Sequence, residues 1–164
     1  MMLNIYVDGS YNKDLPNQTH GAYMILRDDN QPVAAQRISS SQEEFVGMWN
    51  VGGELLSTIF AMKALQQLVN DQVLPKDLQV NLYHDYVGIY EFVKPIKPWV
   101  ARTMGTKLYA GVVNKLRAEM PGVSISYKKV KSHSGNKWND VVDLIAKGDI
   151  PEEYRSIMLA PVQM

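Results

Sequence analysis

Leu3, Ile5 and Val7 alternate with Asn4, Tyr6 and Asp8, and the run stops at Gly9-Ser10. A period of two bounded by turn residues predicts a strand. Residues 21–27 form a second strand candidate, 28–32 a turn cluster, and Val33 to Ile38 a third strand. Three strands in succession with short turns predict an antiparallel meander. The stretch from Tyr11 to His20 is polar, carries Pro16 and Asn17, and reads as a surface loop. Ser39 to Gly53 reads as irregular. From Glu54 to Asn70 the spacing of Leu55, Ile59, Met62, Leu65 and Val69 predicts a helix with one apolar stripe.

Leu78 to Asp85 alternates again and predicts a fourth strand. Strand, helix, strand in that order implies a right-handed crossover and a parallel pair. A short helix is expected from Tyr86 to Val93 and a longer one from Lys107 to Met120, stopped by Pro121-Gly122. Val123 to Lys131 alternates as a fifth strand. The loop Ser132-His133-Ser134-Gly135-Asn136 leads to a last helix, Lys137 to Lys147, with Trp138, Val141, Val142 and Ile145 on its apolar face and Gly148 as its stop. Residues 1–148 are expected to form one domain. Residues 149–164 form a tail, with Pro151 and Pro161, that packs as a short helix or stays loose.

Composition narrows this picture. With 164 residues, 46% hydrophobic and 21% charged, the chain can bury a sizeable core. It has no cysteine, which excludes a disulfide scaffold and thiolate-held metals and suits a reducing compartment. The N-terminus enters a strand without the basic and apolar regions of a signal peptide, and no apolar run is long enough to span a membrane. A cytoplasmic protein with no membrane partner is expected. Lysine and arginine number 17, as do aspartate and glutamate. A zero balance excludes nucleic-acid binding by bulk charge, so any such surface must be local.

Acids stand at the element boundaries. Asp8 ends the first strand, Glu54 opens the first helix, Asp85 ends the fourth strand, and Asp140 and Asp143 lie on the polar side of the last helix. Each has an ordinary explanation alone. Asp8-Gly9 is a turn pair, Glu54 favours a helix dipole, and Asp85 is a helix cap. Taken together, carboxylates gathered at one sheet edge repel one another unless cations neutralise them. All-oxygen ligands select magnesium or manganese. Two such ions about 3.5–4 Å apart clamp the attacking and leaving oxygens of a phosphoryl displacement.

Ile5-Tyr6-Val7-Asp8-Gly9-Ser10, Gly53-Glu54-Leu55, Tyr83-His84-Asp85, and His133-Ser134-Gly135 followed by Asn139, Asp143 and Ala146 occur in that order over nearly the whole chain. The set resembles the type 1 ribonuclease H family. Within the family, Val51-Gly52-Gly53 ahead of Glu54, in place of the common Asn-Arg pair, is similar to the branch found beside viroplasmin-type hybrid-binding modules. The resemblance implies an α/β ribonuclease H-like fold. Its five-stranded mixed sheet has three antiparallel strands, then two parallel ones, and helices on both faces. It implies endonucleolytic hydrolysis of the RNA strand of RNA–DNA hybrids, leaving 5′-phosphate and 3′-hydroxyl ends. Asp8, Glu54, Asp85 and Asp143 would hold two Mg2+ ions, with Mn2+ an alternative, and Asp143 takes the last place by its spacing from Asn139. His133 would move protons or help product leave. Substrate binding is implied at Gly9, Ser10, Asn50 and Asn139, and at Lys94, Lys97 and Trp99 in a basic segment that includes Arg102 and Lys107. That segment suits phosphate binding plus stacking, and is equally an ordinary solvated face. The hybrid is the expected partner and no protein partner is implied. The competing readings are a same-fold metal-dependent nuclease acting on DNA and an inert hybrid-binding module.

Overall fold

Met2–Ser10 form β1, the strand on which the rest of the sheet is assembled. The computed structural model describes residues 1–131 and 136–164. β1 pairs antiparallel with β2, Thr19–Arg27, which pairs antiparallel with β3, Pro32–Ser40. On its other side β1 runs parallel to β4, Leu78–His84, and β4 runs parallel to β5, Val123–Lys129. A short β6, Val162–Gln163, lies parallel to β3, so the order is β5-β4-β1-β2-β3-β6. The α/β fold with antiparallel then parallel strands is as expected. Among the described residues the sheet has six strands, where five were expected.

The sixth strand comes from the segment set apart as a tail. Beyond Gly148 the chain makes a 3-10 turn, Glu152–Ile157, and buries Tyr154 against Trp138 with ring centroids 5.8 Å apart. Leu159 N–H donates to Ala35 O at 2.7 Å, and Met164 N–H to Ser39 O at 2.8 Å. These bonds satisfy the free edge of β3, which would otherwise present unpaired backbone groups.

The helices divide between the faces. α1, Glu43–Val46, α2, Asn50–Asn70, α3, Gly88–Glu91, and α4, Met104–Glu119, precede β5, and α5, Lys137–Ala146, follows it. Leu3, Ile5 and Val7 of β1 join Leu55, Ile59, Met62 and Val113 in one core. Tyr6 joins Ala22, Met24, Val142 and Ile145 in the other. The two-residue period of β1 thus sends alternate side chains to α2 and to α5. Asp8 has the parity of Tyr6, which puts it on the α5 face. No described helix is long and apolar enough to cross a membrane.

Several helices differ from the expected bounds. α1 forms within the stretch 39–53 that reads as irregular, and α4 begins at Met104 rather than Lys107, capped by Thr103. α2 begins at Asn50 rather than Glu54, one turn earlier. Gly52 and Gly53 read as breakers, but here they let the helix approach its neighbours. A Cβ on Gly53 would stand 1.8 Å from His20 O. The helix expected from Tyr86 to Val93 shortens to Gly88–Glu91, with Val87 rather than Asp85 at its cap.

Candidate active site

The parallel register of β1 and β4 pairs Tyr6 with Tyr83, and the two rings stack at 4.4 Å. Two residues on from each tyrosine stand Asp8, within β1, and Asp85, the first residue after β4. The paired register ends at the tyrosines, and the two acids follow it at the carboxyl end of the parallel pair, close enough for Asp85 to raise the pKa of Asp8, where open α/β sheets place their ligands.

Glu54 reaches the same edge from α2. It lies in the second turn, which weakens the dipole explanation for its charge, and it is only 2% exposed. Its Oε1 accepts the backbone N–H of Asp85 at 2.7 Å, and both oxygens accept the N–H of Tyr86 at 3.3 Å. Close approach of α2 to β1 depends on Gly9, where a Cβ would lie 1.9 Å from Asn50 O. Ser57, one turn beyond Glu54, donates its hydroxyl to Asp8 O at 3.0 Å and to Gly53 O at 2.7 Å. The backbone of Asp8 is thus held to the helix that carries Glu54.

The last helix separates its two acids. Asp140 is exposed in the first turn of α5, while Asp143 is half-buried and faces Asp8. Lys147 Nζ sits 2.9 Å from Asp143 Oδ2. Asn136 caps α5, accepting from Trp138 N and Asn139 N at 3.1 Å.

The electrostatics record the crowding. Burial pushes the Asp8 carboxyl from its ordinary 3.8 up to about 7, helped by the charges of Asp143 and Asp85, while the Gly9 N–H opposes the rise. Burial pushes Glu54 from 4.5 up to about 8, with Asp8 and Asp85 adding to it against the backbone bonds at Asp85 and Tyr86. Burial is the larger cause for both groups, and the neighbouring carboxylates add to it. Among the described residues, no three acidic or histidine side chains close on one point as a ready cage. The donor set is nevertheless all oxygen, on rigid elements, which is the chemistry a hard divalent cation takes.

The other expected residues are distributed as follows. Ser10 and Asn50 line a groove of about 1000 Å³ with Tyr11, Arg37, Trp49 and Lys147. Gly9 lies against the start of α2, and Asn139 is buried at 5% exposure. Lys94, which is ion-paired with Glu91, and the exposed Lys97 and Trp99 lie away from this groove, on the chain between α3 and α4. Trp99 packs edge-on against Phe92 at 5.5 Å. His133 and Gly135 lie outside the described residues. Sequence reasoning passed over Ser57, Lys147 and, of the groove lining, Tyr11, Arg37 and Trp49. Lys147 could have been found as an i,i+4 partner of Asp143. Nothing in the sequence marks Ser57 out from other helical serines.

The RNase H family matches residues 2–150. No curated protein matches the chain. Among solved structures, RNase H1 from Halobacterium salinarum NRC-1 is 14% identical, with a TM-score of 0.64 over 91% of this chain and 97% of that one. The N-terminal RNase H domain of a Mycobacterium tuberculosis protein, solved as a fusion with maltose-binding protein, is 14% identical with a TM-score of 0.64, covering 94% and 97%. LC11-RNase H1 in complex with RNA/DNA hybrid is 13% identical with a TM-score of 0.61, covering 89% and 97%.

Proposed function

From the premise that this chain belongs to the RNase H family and is an enzyme of it, we propose that it is a type 1 ribonuclease H. It cleaves the RNA strand of RNA–DNA hybrids endonucleolytically, using two divalent cations, and leaves 5′-phosphate and 3′-hydroxyl ends. The observation that carries this reading is geometric: Glu54 of α2 accepts the backbone N–H of Asp85 at 2.7 Å, and Asp143 of α5 faces Asp8, so acids from four elements meet at one end of the sheet. Carboxylates gathered in this way repel one another unless cations neutralise them. The complex of LC11-RNase H1 with RNA/DNA hybrid supports the substrate class.

In this reading Asp8, Glu54, Asp85 and Asp143 hold two Mg2+ ions, which Mn2+ can replace. When bound, such ions polarise the phosphodiester and offset charge on the attacking and departing oxygens. The chain supplies the rest. The backbone bonds from Asp85 and Tyr86 fix the Glu54 carboxylate, and the bond from Ser57 fixes the strand end that carries Asp8. Lys147 neutralises Asp143 and is placed to turn toward a substrate phosphate. His133 moves a proton or assists product departure. Lys94, Lys97 and Trp99 bind the hybrid beyond the scissile point. Gly9, Ser10, Asn50 and Asn139 are assigned to the substrate side of the site.

Val51-Gly52-Gly53 supports placement in the viroplasmin-associated branch, and the lack of cysteine supports a cytoplasmic setting. Residues 1–148 are taken as the catalytic domain, with 149–164 completing the sheet edge.

The test is incubation with end-labelled RNA–DNA hybrid, duplex RNA and duplex DNA, with Mg2+ and with a chelator. Cleavage of the RNA strand of the hybrid alone, with Mg2+ alone, is the expected result. Cleavage of duplex DNA, or none of any substrate, would overturn the assignment.

A further inference from the structure

His84 is the last residue of β4, and it is only 3% exposed. Burying a polar ring is unfavourable unless its N–H finds an acceptor, so an imidazole in this place needs a reason that an apolar side chain would not. Among the described residues, the ring's one hydrogen-bond partner is the backbone carbonyl of Tyr86, 3.0 Å from Nδ1. That oxygen can only accept, so Nδ1 carries the proton. Tyr127 packs edge-on against the same ring, with centroids 6.3 Å apart.

The bond from Nδ1 closes a turn over Asp85 and Tyr86, the two residues that hold Glu54. Asp85 N–H donates to Glu54 Oε1 at 2.7 Å, and Tyr86 N–H donates to it at 3.3 Å. The Tyr86 carbonyl also accepts the Ile89 N–H at 3.1 Å, and the Tyr86 ring folds over Gly88, where a Cβ would strike it. On the strand side, Val130 N–H donates to His84 O at 2.7 Å. The backbone from His84 to Ile89 is thus held at both ends, and the imidazole is the side chain that bridges its middle. A leucine at position 84 would fill similar space and leave the turn closed by Ile89 alone. Packing accounts for the burial of His84, but not for a donor aimed at the carbonyl beside the Glu54 contacts.

We infer that His84 is a positioning residue of the carboxylate site: its imidazole N–H locks the Asp85–Tyr86 turn, so that two backbone donors orient the Glu54 carboxylate and the Asp85 side chain leaves from a fixed backbone. The inference rests on the proposed reading of Glu54 and Asp85 as cation ligands, and adds a residue that acts on both through the main chain. His84 touches neither cation nor substrate in this assignment. Groups that orient ligating carboxylates from behind commonly decide metal affinity as much as the ligands do.

The test begins with wild type in chelator, where the ring 15N resonances of His84 should show the proton on Nδ1; a proton on Nε2 would overturn the inference. Wild type is then compared with His84→Leu, His84→Asn and, as a destabilised control at the far end of β4, Leu78→Ala. Leucine removes the donor, and asparagine puts an amide N–H near the place of Nδ1. In chelator, His84→Leu should speed hydrogen exchange at the Asp85 and Tyr86 amides by about tenfold, against threefold or less at the other β4 amides. Its Mg2+ affinity, read by calorimetry without substrate, should fall about tenfold. On hybrid, kcat should fall with KM kept within about twofold. His84→Asn should recover most of each loss, and Leu78→Ala should loosen β4 without the local pattern. Wild-type exchange at Asp85 and Tyr86 in His84→Leu would overturn the inference. So would equal losses in His84→Leu and His84→Asn, or a loss spread along β4 as in the control. If His84→Leu does not fold, the tautomer and the exchange of His84→Asn decide. If wild type binds Mg2+ but leaves the hybrid uncut, the nuclease reading fails, and the exchange pattern in chelator still decides the role of His84.

Discussion

Glu54 Oε1 accepts the backbone N–H of Asp85 at 2.7 Å. A buried carboxylate of one helix is thereby tied to the end of a strand that it does not neighbour in sequence. The bond orients Glu54 toward the acids and opposes the rise in its pKa, but burial outweighs it and leaves the group near 8.

The metal-free protein should therefore lose stability as pH rises. Asp8 and Glu54 both titrate above their ordinary values of 3.8 and 4.5, so the folded chain binds more protons than the unfolded one. Their contribution is fully present below those ordinary values and is lost as pH rises through about 7 and about 8. The loss is on the order of a few kcal/mol. Thermal melts from pH 5 to pH 9 in chelator should show a falling Tm. Glu54→Gln should flatten the fall, and saturating Mg2+ should reduce it in wild type. A Tm that rises over this range would contradict the burial account.

The two acids of α5 should differ sharply. Asp143 faces Asp8, whereas Asp140 is exposed in the first turn. Asp143→Asn should lower Mg2+-supported turnover by orders of magnitude. Asp140→Asn should stay within about threefold, with a few tenths of a kcal/mol lost from the dipole interaction. Steady-state assays of the two purified variants decide the order.

Lys147 competes for the charge that a cation needs. Its pair with Asp143 is partly exposed, with Lys147 side-chain exposure of 49%, so its energy is modest. Lys147→Ala should tighten Mg2+ binding by up to about fivefold, read by calorimetric titration without substrate. The same variant should raise KM for hybrid. Weaker Mg2+ binding would show that Lys147 instead supports the carboxylate geometry.

The segment between α3 and α4 should contribute charge at a distance from the groove. Lys94→Ala with Lys97→Ala should flatten the log–log salt dependence of hybrid binding, by up to about 0.7–0.9 for each phosphate that is no longer neutralised. Lys94 already pairs with Glu91, so Lys97 should carry the larger share in single variants. An unchanged slope in the double variant would leave this segment as an ordinary solvated face.

The strands were legible because they carry a rigid period. Asp8 and Asp85 were expected at the ends of two alternating runs, and the fold puts Asp8 within β1 and Asp85 directly after β4. The start of α2 was not legible, because Gly52 and Gly53 look like breakers until His20 O is seen against them. β6 was not legible either. Two residues after Pro161 carry no period, and their pairing depends on the edge that β3 offers. Periodicity placed Asp140 and Asp143 on one polar side, and the fold separated them by setting Asp143 against Asp8. The groove was hidden because Tyr11, Arg37 and Trp49 come from separate segments brought together only by the sheet and the start of α2.

Cleavage of an RNA–DNA hybrid by wild type and Asp8→Asn, side by side across a Mg2+ titration, tests the metal-dependent nuclease most directly. Asp8→Asn keeps side-chain volume and the fold but removes one carboxylate from the cluster. Wild type should cut the RNA strand in a Mg2+-dependent way, and the variant should lose nearly all cleavage at every Mg2+ concentration, with a metal-free Tm no lower than wild type. Wild-type turnover by Asp8→Asn in saturating Mg2+ would contradict the assignment of these carboxylates as the metal site.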